Sequence, residues 1–400
     1  MEPGSVGSRQ PGGEGEEPGY TRPTPELLGA RMAAVLALLA FAAAVSAGEP
    51  ASRPTTLAAA FDVRVDPRVE LLSVIFRLAG HPEYNKAFVA SYAKQVDAHF
   101  GEFKDHAVVT LARRLRAARG VSFDAPMSLA VHLSDPPALT PRIPLSPPPA
   151  GLDGRWRPDE LREFLVEARD FATRSRFAAF MGTHKDLHAL AARRLGQTVR
   201  RHAHLEWFDN YFGAPPGADF RVVVSILNGP SCYGSRFIDG ERSEYYCILG
   251  VWMQDADHRP VFPDGVVPTI VHEFCHSYVN PVVDRHAAAF EGPARRMFAQ
   301  VRGAMRRQAY NNPRTFVYES LVRAAVVRHR RQHEGALAAF AEISAQQARG
   351  FLWTRVLCER LTEYERDRKR YPTLDAFAPR LVECFEACAA QIPTTVPASR

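Results

Sequence analysis

The sequence predicts an α+β fold in which helices predominate and one small mixed sheet stands just before a helix carrying the segment HEFCH. Three observations lead there. Two β-branched and aromatic runs, FRVVVSIL at 220–227 and EYYCILGVW at 244–252, read as strands, with Asn228-Gly229-Pro230 breaking the chain between them. Stretches before and after them repeat apolar residues at helical spacing. Between the second run and the later helices lies an apolar helical stretch, about 268–280, in which His272 and His276 are four residues apart.

Taken in order, FDVRVD at 61–66 alternates as a strand does, and Pro67 then opens an amphipathic helix through Leu78. Further helices are expected at about 82–103, 105–119, 158–180 and 184–212. Seven prolines within 134–150 mark a loop. The two strand runs form a hairpin or lie as neighbours in one sheet, and the segment with Gly234 and Gly240 between them reads as a loop. Pro281 is expected to stop the HEFCH helix. Helices follow at about 287–308, 314–332, 335–347, 351–369 and 373–390, and residues 391–400 form a tail. The expected organisation is an unstructured leader at 1–31, a signal peptide at 32–47 and one domain at 48–390. That domain divides into a helical region at 61–212, the sheet and motif helix at 220–281, and a helical region at 287–390.

Net charge is +6, yet almost all the basic residues are Arg, scattered among Glu and Asp on helical stretches, and only five are Lys. That is a solvated surface rather than a nucleic-acid patch, and no nucleic-acid partner is expected. Arg31 precedes an apolar run at 32–44 that ends in Val45-Ser46-Ala47. The run is shorter than the roughly 20 apolar residues a membrane span needs. It reads as a secretory signal cleaved near Ala47, giving an exported protein with no stable membrane insertion. Export would permit disulfides among Cys232, Cys247, Cys275, Cys358, Cys384 and Cys388. Cys232 could pair with Cys247, and Cys358 could reach Cys384 or Cys388; all six could equally be reduced.

The chemistry concentrates in HEFCH. Histidines at i and i+4 share one helix face, and two imidazole nitrogens at that spacing can hold one tetrahedral zinc ion. Glu273 lies next round the helix, where it can take a proton from a water that Zn2+ has acidified to a pKa of about 7. A third protein ligand is needed. Val279 and Val282 stand where an H-E-x-x-H-x-x-G-x-x-H signature would have Gly and His, so a distal carboxylate is expected. Asp284, His286, Glu291 and Glu319 are candidates, and Glu319, in the amphipathic FVYESLVRAAVV, is preferred. For the hydroxyl or imidazole facing a developing oxyanion, Tyr310 is preferred over Tyr278, Tyr318 and His329. The strand at 244–252 could bind an extended substrate, with 228–234 lining the cleft. Cys275 lies inside the motif helix and is not proposed as a nucleophile.

HEFCHSYVNP, with YESLVRA some forty residues on, resembles the glutamate-type zincin metalloproteases. With DPRVELLSVIFRLAG and HPEYN it is similar, more narrowly, to a family of exported bacterial proteins known only as a domain of unknown function. The resemblance implies a zincin-like fold with its cleft between helical regions, a zinc ion on His272, His276 and Glu319, Glu273 as general base, and a peptide or protein substrate. Many such enzymes carry an acidic residue four positions after the third ligand to orient a histidine; Arg323 stands there instead, and Asp284 is the candidate for that support. Two other readings are a non-catalytic exported binding protein on the same scaffold and a zinc amidase acting on cell-wall material.

Overall fold

Strand β1, Asp62–Val65, runs directly into helix α1, Pro67–Leu78, and the residue between them explains why. The Asp66 carboxylate accepts from the Arg68 N–H at 3.0 Å, and Pro67 fills the first turn, where no N–H is needed. The computed structural model describes residues 62–213, 218–240, 242–308 and 310–392. The leader, the expected signal peptide at 32–47 and the tail beyond residue 392 lie outside them. No helix among the described residues is long and apolar enough to cross a membrane.

The N-terminal region is helical: α2 Ala90–Phe100, α3 Ala107–Arg119, α4 Asp124–Val131, α5 Pro158–Arg174, α6 Phe177–Thr183, α7 Lys185–His202 and α8 Glu206–Phe212. The expected helix at 82–103 is broken: a single 3-10 turn, Pro82–Tyr84, precedes α2. Helix α4 was not expected from the sequence. It is short and almost wholly buried, so it shows no alternation of faces.

The chain then forms β2, Ala218–Ser225, β3, Cys232–Asp239, and β4, Arg242–Gly250. The sheet order is β1-β2-β4-β3. β1 and β2 are parallel, β2 and β4 are parallel, and β3 runs antiparallel to β4. The two strong runs are thus parallel neighbours, and the hairpin partner of β4 is β3, the stretch read as a loop. Its polar, glycine-containing sequence reflects its place at the sheet edge. The sheet approaches itself closely where β4 ends: a Cβ on Gly250 would stand 2.0 Å from the Gly229 carbonyl oxygen. A two-residue pair follows, β5 Met253–Gln254 with β6 Pro260–Val261.

The motif helix α9 is Val267–Arg285, and Pro281 does not end it. Proline removes one donor from the helical ladder, but Val282 and Val283 beyond it are buried, and that packing carries the helix a further turn. Helices α10 Ala287–Arg307, α11 Pro313–His333, α12 Ala336–Ala348, α13 Thr354–Arg366 and α14 Leu374–Ala390 complete the domain. Helix α9 is sandwiched between the sheet and α11. Its sheet side is set by rings: Phe274 meets Phe220 of β2 edge-on at 4.7 Å, and Tyr278 stacks on Phe212 of α8 at 4.8 Å. Helices therefore predominate around a small mixed sheet, as the sequence predicts.

Candidate metal centre

Because Ile270, Val271, Phe274 and Tyr278 are drawn into the core, the 3.6-residue period turns His272, Glu273 and His276 to the other side of α9, where they are half-buried. Helix α11 brings Glu319, buried, against them. Three separations define the cluster. His272 Nε2 and His276 Nε2 are 3.1 Å apart, Glu319 Oε1 is 3.3 Å from His276 Nε2, and Glu319 Oε2 is 3.6 Å from His272 Nε2. A four-coordinate zinc with bonds of about 2.0–2.1 Å spaces its ligand atoms about 3.3–3.4 Å apart. The three measured separations bracket that value.

Hydrogen bonding decides which lone pairs face inward. The Asn280 side-chain oxygen, 3.1 Å from His276 Nδ1, can only accept. Neutral His276 therefore carries its proton on Nδ1 and presents a bare Nε2 to the cluster. Glu319 is held by Arg323, four residues on, whose Nη2 donates to Oε2 at 2.8 Å. The same Nη2 donates to the Tyr310 hydroxyl at 3.0 Å, Nη1 donates to Gln346 Oε1 at 2.8 Å, and the guanidinium lies 4.4 Å from the Phe351 ring centre. The residue that stood out as a departure is thus the one that orients the carboxylate.

Burial would raise the Glu319 carboxyl, but His276, His272 and Arg323 outweigh it and hold the group well below the usual carboxylate range. Burial works against a charge on His276, yet Glu319 lifts it to about 9, while burial takes His272 well below the ordinary imidazole value. The Glu273 carboxyl is pushed up to about 7 by burial, with His276 opposing. Glu273 lies outside the triangle of ligand atoms, against edge strand β3. The Gly234 N–H favours its charged form, and a Cβ on Gly234 would stand 2.8 Å from its Oε2.

The other candidates are elsewhere. Asp284 lies eight residues beyond His276, about 12 Å along the helix. It accepts from Arg314 Nε at 2.9 Å and from the Tyr318 hydroxyl, so it ties α9 to α11 and orients no histidine. His286 faces Asp375, and Glu291 pairs with Arg295 on the surface. Tyr278 belongs to the aromatic core, and His329 bonds the Ala203 carbonyl at 3.1 Å. Tyr310 is brought to the cluster, with its hydroxyl on Arg323. Strand β4 is paired on both sides and offers no edge; the exposed edge near Glu273 belongs to β3. Asn280 and Arg323 sit four residues after His276 and Glu319, a spacing that could have flagged both. Gly234 gave no such signal. All six cysteines are free.

His106, Glu167 and Asp170 form another group of metal-ligand types among the described residues. There His106 Nδ1 accepts the Val108 N–H that opens α3, so Nε2 carries the proton and donates to Asp170 at 2.9 Å. A proton stands where a cation would bind. An apolar groove of about 530 Å³, lined in part by Val283, Phe290 and Val317, shares no residue with the His272 cluster.

No curated protein and no solved structure is similar enough to match the chain. The motif helix, its glutamate partner and the helical region before them all fall inside one family model, matching residues 61–384, and the chain belongs to that family, described as "Domain of unknown function (DUF4932)".

Proposed function

We propose that this protein is an exported, zinc-dependent hydrolase of peptide bonds, related in its site to the glutamate-type zincins. The observation that carries the reading is the convergence of two imidazoles and one carboxylate: His272 Nε2 and His276 Nε2 are 3.1 Å apart, Glu319 Oε1 is 3.3 Å from His276 and Glu319 Oε2 is 3.6 Å from His272, spacings that suit one four-coordinate ion. A zinc ion held there would supply a Lewis acid able to polarise a carbonyl and to acidify a water.

The protein's own groups divide the remaining work. Asn280 fixes the His276 tautomer, and Arg323 fixes the rotamer of Glu319. Glu273, kept out of the ligand set by its position on the helix, accepts the proton of the attacking water and returns it to the departing amine. The Gly234 N–H steadies that carboxylate from the sheet side. The Tyr310 oxygen accepts from Arg323, and its proton, directed at Glu319 in the metal-free site, would turn to the oxyanion as the carbonyl is attacked. Export rests on Arg31, the apolar run at 32–44 and the small residues ending at Ala47.

Metal analysis of the purified protein tests the site: about one zinc per chain is expected, and almost none in His276→Ala. Wild-type protein that takes up no zinc on reconstitution would overturn the proposal. Given a cleaved peptide, Glu273→Gln should retain the metal and lose turnover by at least about a hundredfold.

A further inference from the structure

Strands β3 and β4 bring two thiols together beneath the motif helix. Cys232 stands opposite Leu249, and Cys247 opposite Gly234, so the cysteines are diagonal neighbours across the pair. The Gly250 N–H bonds the Ser231 carbonyl at 2.8 Å, which makes 231 and 250 a hydrogen-bonded pair. Residues 232/249 and 234/247 then occupy the non-hydrogen-bonded positions, where facing side chains come closest. The right-handed twist of the strands shortens this diagonal further. The two sulfur atoms are 3.5 Å apart. A disulfide needs about 2.05 Å, so the sulfurs must close by about 1.5 Å, a distance that small side-chain rotations supply.

We propose that Cys232 and Cys247 are a disulfide-forming site, and that in an oxidising compartment their bond clamps the edge strand β3 beside Glu273. The chemistry is thiol–disulfide exchange with a small disulfide such as glutathione disulfide. Cys232 is half-buried and Cys247 fully buried, so the exchange begins at Cys232. The Cys232 sulfur attacks the small disulfide, forms a mixed disulfide and expels one glutathione. The Cys247 sulfur then attacks the Cys232 sulfur, closes the protein disulfide and expels the second. Both protein thiols are oxidised, glutathione disulfide is reduced to two thiols, and the two thiol protons end on them. Burial raises the Cys232 thiol well above its usual range, so exchange is fastest while the strands are still assembling.

The clamp acts where the strand matters. Gly234 pairs directly with Cys247, and a Cβ added there would push the Glu273 carboxylate aside. A bond from Cys232 to Cys247 spans that glycine and fixes its strand to the sheet. No metal-ligating candidate lies on β3 or β4, so zinc uptake should be equal in both redox states.

The test uses the full chain, once incubated in the folded state with glutathione disulfide and once refolded from urea in a glutathione redox buffer. The expected product, at least after refolding, is a mass loss of two hydrogens, absent from Cys232→Ser and from Cys247→Ser but kept in Cys275→Ser. It should melt a few degrees higher than the reduced protein, a gain that dithiothreitol reverses. Cys232→Ser, at the half-buried position, keeps the test valid if Cys247→Ser does not fold. The proposal is overturned if neither treatment removes two hydrogens, if the loss persists in Cys232→Ser, or if glutathione simply remains on Cys232. Zinc binding and peptide cleavage are scored separately, so a clamp that forms in a protein without activity would count against the proposed function and not against the disulfide.

Discussion

Gly234 makes the sharpest case for what one residue does. Its missing side chain lets an edge strand lie against the Glu273 carboxylate, with a hypothetical Cβ only 2.8 Å from Oε2. Gly234→Ala should therefore displace Glu273 without touching His272, His276 or Glu319. A fall of about tenfold or more in kcat at unchanged zinc content is expected, measured on any peptide the wild type cleaves. Arg323 is the opposite kind of residue, a buried charge at 7% exposure whose two terminal nitrogens reach Gln346, Tyr310 and Glu319. Removing it takes one partner from Glu319, which keeps His276 beside it, and leaves Gln346 Oε1 without its donor, so Arg323→Met should cost about 1–3 kcal/mol in urea unfolding of the metal-free protein. The sequence showed His272, Glu273, His276 and Glu319 because their chemistry is tied to spacing along helices. It did not show Gly234, because a glycine at an edge strand reads as a turn until the helix it faces is known.

At the level of elements, helix α1 carries a titratable group that the core must accommodate. Glu70 is fully buried and accepts from the Ile226 N–H at 2.9 Å and the Tyr92 hydroxyl at 3.0 Å. Burial lifts its carboxyl to about 7, against an ordinary value of 4.5. Between those two values the unfolded chain has lost this proton and the folded chain keeps it, so stability falls as pH rises through the window and levels off above it. Glu70→Gln should remove up to about 1.4 kcal/mol per pH unit of that decline, checked by urea denaturation between pH 5 and 8. Helix α9 depends on its sheet side. Phe274→Ala opens the contact with Phe220 and Phe208 and should cost about 3–5 kcal/mol. The bounds of α1 agree with the sequence reading because its cap and proline are local signals. Strand β3 and the turn of α9 beyond Pro281 were missed because tertiary packing decides both.

For the whole molecule, the candidate ligands come from two helices that meet only after folding, so a metal would join parts of the chain far apart in sequence. An ion bound only by the folded state stabilises it by mass action, about 2.7 kcal/mol at a hundred times the dissociation constant. Zinc should raise the thermal midpoint of the wild type and a chelator should reverse the rise. His276→Ala should respond to neither. Helical dominance and the small sheet were legible because periodicity survives without contacts; strand order was not, since nothing local tells a parallel neighbour from a hairpin.

The Asp284 contact with Arg314 and Tyr318 ties α9 to α11 about two turns from the cluster, and with it sets how far apart those helices stand. That gap acts as a caliper on the ion. Calcium, with oxygen bonds of about 2.3–2.6 Å and an appetite for six to eight ligands, would find these three groups too close together and too few. Discrimination between cations would then be a property of helix spacing, and loosening the Asp284 tie should relax which ion is preferred before it abolishes binding.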